Sequence, residues 1–133
     1  MAPHTDRPVY FSLLHTTRAY PRLPYEAIKN SILGTQYTLS LVFIGAQRAR
    51  TLNRTHRRKT YTPNVLSFAL DATHGEIFVT PERLATQAKE RGITIRRYAG
   101  FLFIHALLHL KGMRHGDTMD TLEKKYCIQF HLR

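Results

Sequence analysis

The sequence predicts an α+β fold, a single domain with a mixed four-stranded sheet packed with about five helices. Three observations predict it. Short β-branched and aromatic runs interleave with longer helical patterns in the order β, α, β, α, β, β, α, α, α. The two strand-like runs that follow one another directly are separated by turn chemistry at Asp71 to Gly75, as in a hairpin. Finally, 133 residues with 43% hydrophobic content suffice for one core, so residues 1–133 read as one unit.

The elements follow in order. Met1 to Arg7 is polar, contains Pro3 and reads as a loose tail. Val9, Phe11 and Leu13 alternate with Tyr10, Ser12 and Leu14, giving a first strand. Arg18 to Pro24 carries two prolines and is a connection, after which Pro24 suits the first turn of a helix through about Leu33. Tyr37 to Ile44 is a central strand ended by Gly45. Ala46 to Asn53 is a short helix with Ala49 and Leu52 inward, and Arg54 to Pro63 is a basic loop. Asn64 to Leu70 and Glu76 to Thr80 form the hairpin strands. Thr80 caps the next helix, with Pro81 at its first position and Gly92 as its stop. Thr94 caps a long helix that Tyr98, Phe101, Leu102, Ile104, Leu107 and Leu108 make apolar over much of its circumference, so it packs deeply. Asp117 caps a last helix that ends near His131.

That long helix carries His105 and His109, four residues apart and therefore on one face. Gly112 tolerates positive φ and ends the helix, and His115 follows three residues later, close enough to turn back. Three neutral imidazoles and one open position are a common way to hold a catalytic zinc. The spacing repeats the long zinc-protease signature, but the glutamate that serves proteases as general base is Ala106 here. Ligand geometry survives while the peptidase base is missing, which argues against peptidase chemistry.

Charge is the second strong signal. Twenty Lys and Arg against nine Asp and Glu give a formal net charge of +11. A small domain this basic attracts polyanions, and with no lipid-binding amphipathic helix evident the expected polyanion is nucleic acid. No charged start leads into a long apolar run, so neither a signal peptide nor a membrane span is expected. The one cysteine, Cys127, has no internal disulfide partner and fits a reducing, cytoplasmic setting. Nothing in the sequence indicates an oligomeric state.

Beyond the histidines, Leu52-Asn53 with His56 and Arg57, and Val65-Leu66-Ser67-Phe68 followed by Gly75-Glu76-Ile77, complete a pattern that resembles the YbeY family of bacterial rRNA maturation factors. The resemblance runs from about Tyr37 to Glu123. It implies a zinc-dependent endoribonuclease for single-stranded RNA, associated with the small ribosomal subunit. Its three-histidine motif falls on His105, His109 and His115, and its arginine on Arg57. There are departures. Ala106 stands where the family has glycine, His56 where it has tyrosine, and Thr62-Pro63 reverse its Pro-Thr pair. The usual Gly-Tyr-Asp-His turn is Gly112-Met113-Arg114-His115, which removes a carboxylate and sets a cation beside the metal.

The expected roles follow from phosphodiester chemistry. His105, His109 and His115 hold Zn2+, and Arg57 is the second electrophile because a guanidinium clamps two phosphate oxygens. Arg54, Arg58, Lys59 and Arg114 are expected to contact the RNA backbone, and Tyr61 to stack on a base. Tyr20, Tyr25 and Tyr37 are assigned to packing, as are His4, His15, His74 and His131 to surface or core; Ser67 and Asn64 are weaker site candidates. Two nucleophiles stay open, a metal-activated water and the RNA 2′-OH. The alternative to an enzyme is a non-catalytic, zinc-stabilised rRNA-binding assembly factor.

Overall fold

The computed structural model describes residues 8–132, so the tail expected over Met1 to Arg7, with His4, lies outside the described residues. The elements are β1 (Phe11–His15), α1 (Tyr25–Leu33), β2 (Thr38–Phe43), α2 (Ala46–Arg57), β3 (Val65–Asp71), β4 (His74–Val79), α3 (Pro81–Arg91), α4 (Ile95–Leu110) and α5 (Asp117–Gln129). The sheet order is β1-β2-β4-β3. β1 and β4 flank β2 in parallel, and β3 pairs antiparallel with β4 as an edge strand. The sheet is therefore mixed, and the expected hairpin forms one border. Its turn is shorter than expected. A register irregularity at Ala69 and Asp71 lets β4 start at His74, so Gly75 lies inside the strand.

The two-residue period of the strands sorts the side chains. Leu39, Leu41 and Phe43 of β2 stand level with Gly75, Ile77 and Val79 of β4, and with Ala69, Ser67 and Val65 of β3. This face carries the main core, with Ile28 and Ile32 of α1, Leu84 of α3, Phe103, Ile104 and Leu107 of α4, and Met119 of α5. On the opposite face Leu66 stands level with Phe78, and Phe68 meets the ring of His56 from α2, centroids 5.5 Å apart. α1 also buries Lys29 completely; its amine donates to the side chain of Asn30 and the carbonyl of Thr35.

α4 is the central helix. It packs against β3, α1, α3 and α5. Thr94 caps it as expected, its hydroxyl accepting from the Arg97 backbone N–H at 3.1 Å. Tyr98, Phe103, Ile104, Leu107 and Leu108 are buried, and each such side chain contributes roughly 1.5–3 kcal/mol by leaving water. Phe101 departs from the expected deep packing and is 38% exposed. It shares a helix face with His105, turned toward a groove beside α5.

α2 is longer than the sequence reading. The helix runs through Arg57, so Arg54, His56 and Arg57 form its last turn rather than a loop. Basic side chains favour a helix C-terminus through the backbone dipole. Closure falls to Arg58, which adopts φ 56°, ψ 34° and donates its N–H to the Arg54 carbonyl. At α5, Gly116 rather than Asp117 occupies the cap position, and Asp117 and Asp120 sit in the first turn, where negative charge is favoured. Thr80 takes the cap position of α3 without a side-chain hydrogen bond. Among the described residues no helix is long and apolar enough to cross a membrane.

Gly100 is closely packed on α4. A β-carbon there would lie 2.5 Å from Leu132 Cδ1. Alanine in mid-helix ordinarily stabilises by about 0.5–1 kcal/mol over glycine. Overpacking costs about 1–3 kcal/mol and wins here, so Gly100→Ala is expected to lower the denaturation midpoint. In the double variant Gly100→Ala/Leu132→Ala the losses should fall short of the sum of the singles, measured by urea unfolding.

Candidate metal centre

The histidine site is assembled by the end of α4 and the turn after it. His105 and His109 lie one helical turn apart on the same face. Gly112, at φ 99°, then folds the chain back. Nothing lies within 4 Å of a β-carbon built at Gly112, so the requirement for glycine is conformational rather than spatial. The turn is held by the Met113 N–H donating to the Leu108 carbonyl at 3.0 Å. It delivers His115 to the other two rings. The centroids are 4.6 Å (His105–His109), 4.9 Å (His105–His115) and 4.8 Å (His109–His115) apart, a nearly equilateral triangle. One nitrogen from each ring lies within 4.8 Å of the others, and the cluster has the composition and spacing to hold a metal ion.

The outer nitrogens fix the tautomers. His105 Nδ1 bonds the carboxylate of Glu123, and a carboxylate only accepts. His109 Nδ1 donates to the Met113 carbonyl at 3.0 Å. In both neutral rings the proton is therefore on Nδ1 and the lone pair on Nε2. Those two Nε2 atoms face each other at 3.0 Å. Neither has a proton to offer, so the approach is repulsive unless a cation shares both lone pairs. A tetrahedral ion with 2.0–2.1 Å bonds would hold its ligand nitrogens about 3.4 Å apart, close to what is seen. The donor set fits a metal on this ground. Burial pushes the His109 imidazole below its ordinary range, with the Met113 carbonyl opposing, and so favours the neutral, coordinating form.

Glu123 was not singled out in the sequence. It is buried on α5, 18 positions from His105. Its carboxylate aims the His105 ring and raises its basicity. The available signal was an acidic residue inside the apolar stripe of α5, between Met119 and Leu122 on one side and Tyr126 and Cys127 on the other.

The arginines come from two segments. Arg54 and Arg57 are exposed on the last turn of α2, followed by Arg58 and Lys59, and Arg114 is exposed beside His115. Asn53, fully buried, donates its side-chain amide to the Tyr61 carbonyl at 3.0 Å, and Arg50 Nε donates to Thr62 at 3.0 Å. These bonds tie the segment after α2 back onto the helix and leave Tyr61 55% exposed. His56 of α2 touches Phe68, and Leu110 of α4 packs over Gly75. Phe68 pairs with Glu76 and Ala69 with Gly75, on neighbouring rungs of the hairpin. The arginine-bearing turn and the end of the histidine helix thus flank the same stretch of the β3–β4 hairpin from opposite faces.

Ser67 pairs with Ile77 on the α4 side of the sheet, and among the described residues its hydroxyl bonds none of the histidines. Asn64 lies at the other end of α4. It bonds Gln87 at 2.9 Å and stands 3.5 Å from the Tyr98 hydroxyl, three turns or roughly 16 Å along the axis from His109. Its part is in packing α3 against α4. Tyr25 and Tyr37 are buried and Tyr20 stacks on Phe43, as packing residues.

Comparison with known proteins agrees with this geometry. Residues 15–128 match the family model described as Endoribonuclease YbeY. Endoribonuclease YbeY of Neisseria meningitidis is 33% identical over 119 aligned positions, covering 80% of this chain and 68% of that protein. The proteins of the same name from Alkaliphilus oremlandii and Bdellovibrio bacteriovorus are 37% and 39% identical, over 67% and 68% of this chain and 66% and 62% of theirs. A solution structure of a Thermotoga maritima protein superposes with a TM-score of 0.63 at 21% identity, over 87% of this chain and 85% of that one, a likeness of fold.

Glu123→Gln keeps an acceptor for His105 but loses its charge, and Glu123→Leu loses both. Metal affinity, measured by competition with a chromogenic chelator, should fall about 10-fold or more in the first and toward 100-fold in the second. Equal affinity in all three proteins would remove Glu123 from the site.

Proposed function

Because the chain belongs to the endoribonuclease YbeY family, we propose that it is a zinc-dependent endoribonuclease that cuts single-stranded RNA during rRNA maturation and ribosome quality control. It works in the cytoplasm in association with the small ribosomal subunit. The observation that carries the reading is the facing pair of Nε2 lone pairs, each ring backed by an acceptor at Nδ1. Membership gives a metal-dependent hydrolase acting on RNA. Zinc is assigned from the chemistry of three imidazole donors with one position left open.

His105, His109 and His115 are the ligands. A zinc ion held by them supplies Lewis acidity toward a phosphoryl oxygen and toward water. Three neutral donors leave its double charge uncompensated, and the net charge of +11 adds a field that gathers polyanions. Arg57 is the candidate to clamp the phosphate, since its planar fork matches two phosphoryl oxygens and balances charge that builds in the transition state. Arg54, Arg58, Lys59 and Arg114 hold the backbone of the strand, and exposed Tyr61 offers a face for stacking. Ala106 is buried and has no basic atom, so a peptidase mechanism of the glutamate type has no residue to run on.

Two measurements test this. Native protein should carry one equivalent of zinc by elemental analysis and cut an unstructured RNA. His109→Ala should abolish both, while Arg57→Ala should keep the zinc and slow cleavage about 100-fold or more. RNA binding without cleavage by zinc-loaded native protein would instead make the chain an assembly factor. Arg54→Ala and Arg58→Ala should each weaken RNA binding regardless of sequence. Each should also lower the slope of log affinity against log salt by about one.

A further inference from the structure

Phe101 opens a second feature on the histidine side of α4. Between α4 and α5 lies a cavity of about 500 Å³, in the range of small-ligand sites. Its apolar surface includes Phe101 and Ile128, both exposed although large and hydrophobic. Three cations line it, Arg91, Arg97 and Lys124, against one exposed carboxylate, Asp120, and the buried Glu123. Arg91 already lies over the Tyr98 ring, 5.1 Å from its centroid, so the wall holds a stacked guanidinium–aromatic pair. None of the histidines lines the cavity, but two of its lining residues touch His105. Glu123, which aims His105, lines it, and the Phe101 ring stands 6.1 Å from the His105 ring.

An aromatic face, an aliphatic wall and a cationic rim are complementary to a flat apolar ring that carries anionic groups at its edge. A nucleotide has that chemistry: the base stacks and its flanking phosphates meet the cations. A buried acidic partner is not needed, since the one buried carboxylate of the wall is already engaged by His105. We propose that this groove is a base subsite. It receives one unpaired base of the RNA strand, near the phosphodiester that lies at the histidine cluster, with Phe101 as the stacking platform and Arg97 and Lys124 on the adjoining phosphates. The proposal rests on the RNA-cleaving reading above. It assigns the preference for unpaired RNA to a physical cause, because a base held in a duplex cannot enter.

The test uses the full chain treated with chelator, so that binding is read without cleavage. Oligoribonucleotides carrying 2-aminopurine at successive single positions are titrated with native protein and with Phe101→Ala, Phe101→Tyr and Arg97→Glu/Lys124→Glu. With native protein, quenching should appear at one position, a fixed number of nucleotides from the cut made by the zinc-loaded protein. Phe101→Ala should lose that quench and bind about 5- to 100-fold more weakly, the range for removal of one stacking contact. Phe101→Tyr should restore both, and the charge reversal should weaken binding while leaving the quench position in place and flattening the preference for an unpaired site less than Phe101→Ala does. Metal stoichiometry of Phe101→Ala, measured separately, should match native protein and so exclude a damaged histidine site. If native protein cleaves RNA but quench, affinity and cut position are all indifferent to Phe101→Ala, the subsite is overturned while the nuclease reading stands, and the groove is left for a helical peptide. If RNA binds through Phe101 without any cleavage, the nuclease reading fails and the subsite survives.

Discussion

Two nitrogen lone pairs held 3.0 Å apart are the constraint on which the rest of this molecule depends. With both rings neutral and no cation between them, that contact is repulsive. Each ring is held to it by a bond on its far side: Glu123 reaches His105 from α5, and Met113 reaches His109 from the turn that Gly112 permits. Behind them, α4 buries Phe103, Ile104, Leu107 and Leu108, which leaves the imidazoles few alternative rotamers. The scaffold therefore supplies the strain and the packing supplies its compensation. A cation that takes both lone pairs converts the repulsion into ligand bonds, so occupancy and local stability are coupled at this site.

The parts of the fold that were legible in the sequence are those set by local chemistry. Period-two alternation found β1, β-branched and aromatic enrichment found β2, the turn residues found the hairpin, and Thr94 marked the start of α4 because its hydroxyl caps the helix three residues on. The histidines were legible for the same reason, since i, i+4 spacing and a glycine at positive φ are local facts. What was not legible depended on residues acting against type or at long range. α2 closes on Arg58 in a left-handed conformation, where a glycine would have been the expected signal, so its basic last turn looked like loop. Glu123 meets His105 only because α5 folds onto α4, a tertiary fact with no spacing rule. Phe101 looked like core because an aromatic on an apolar helix usually is, yet it faces the groove rather than the sheet.

The missing aspartate of the family turn gains a physical meaning from Glu123. Arg114 holds that position and is exposed, with no carboxylate ion-paired to it among the described residues. A chain that lost its only carboxylate near the ligands would bind a divalent ion less well. Here a buried acid on α5 bonds His105, so Arg114 faces solvent and adds to the cationic surface without stripping the histidines of support. The negative charge lies at the back of the site, where it polarises a ligand and does not repel an incoming phosphate.

The same separation explains why the fold suits a long polyanion better than a small one. His56 of the α2 turn and Leu110 of the histidine helix reach the same stretch of the β3–β4 hairpin, and among the described residues β3 is an edge strand with no neighbour beyond it. On the proposed reading a strand that follows the hairpin border meets both, and the cations offered to it are held by backbone structure: Arg57 by the last turn of α2, Arg58 by its own helix-closing bond. Exposed charges lose most of their mutual influence beyond about 10 Å at 0.1 M salt, so cations spread this way act as independent phosphate contacts rather than as one focused pocket. Affinity then grows with the length of strand engaged, while chemistry stays confined to the one place where the lone pairs converge.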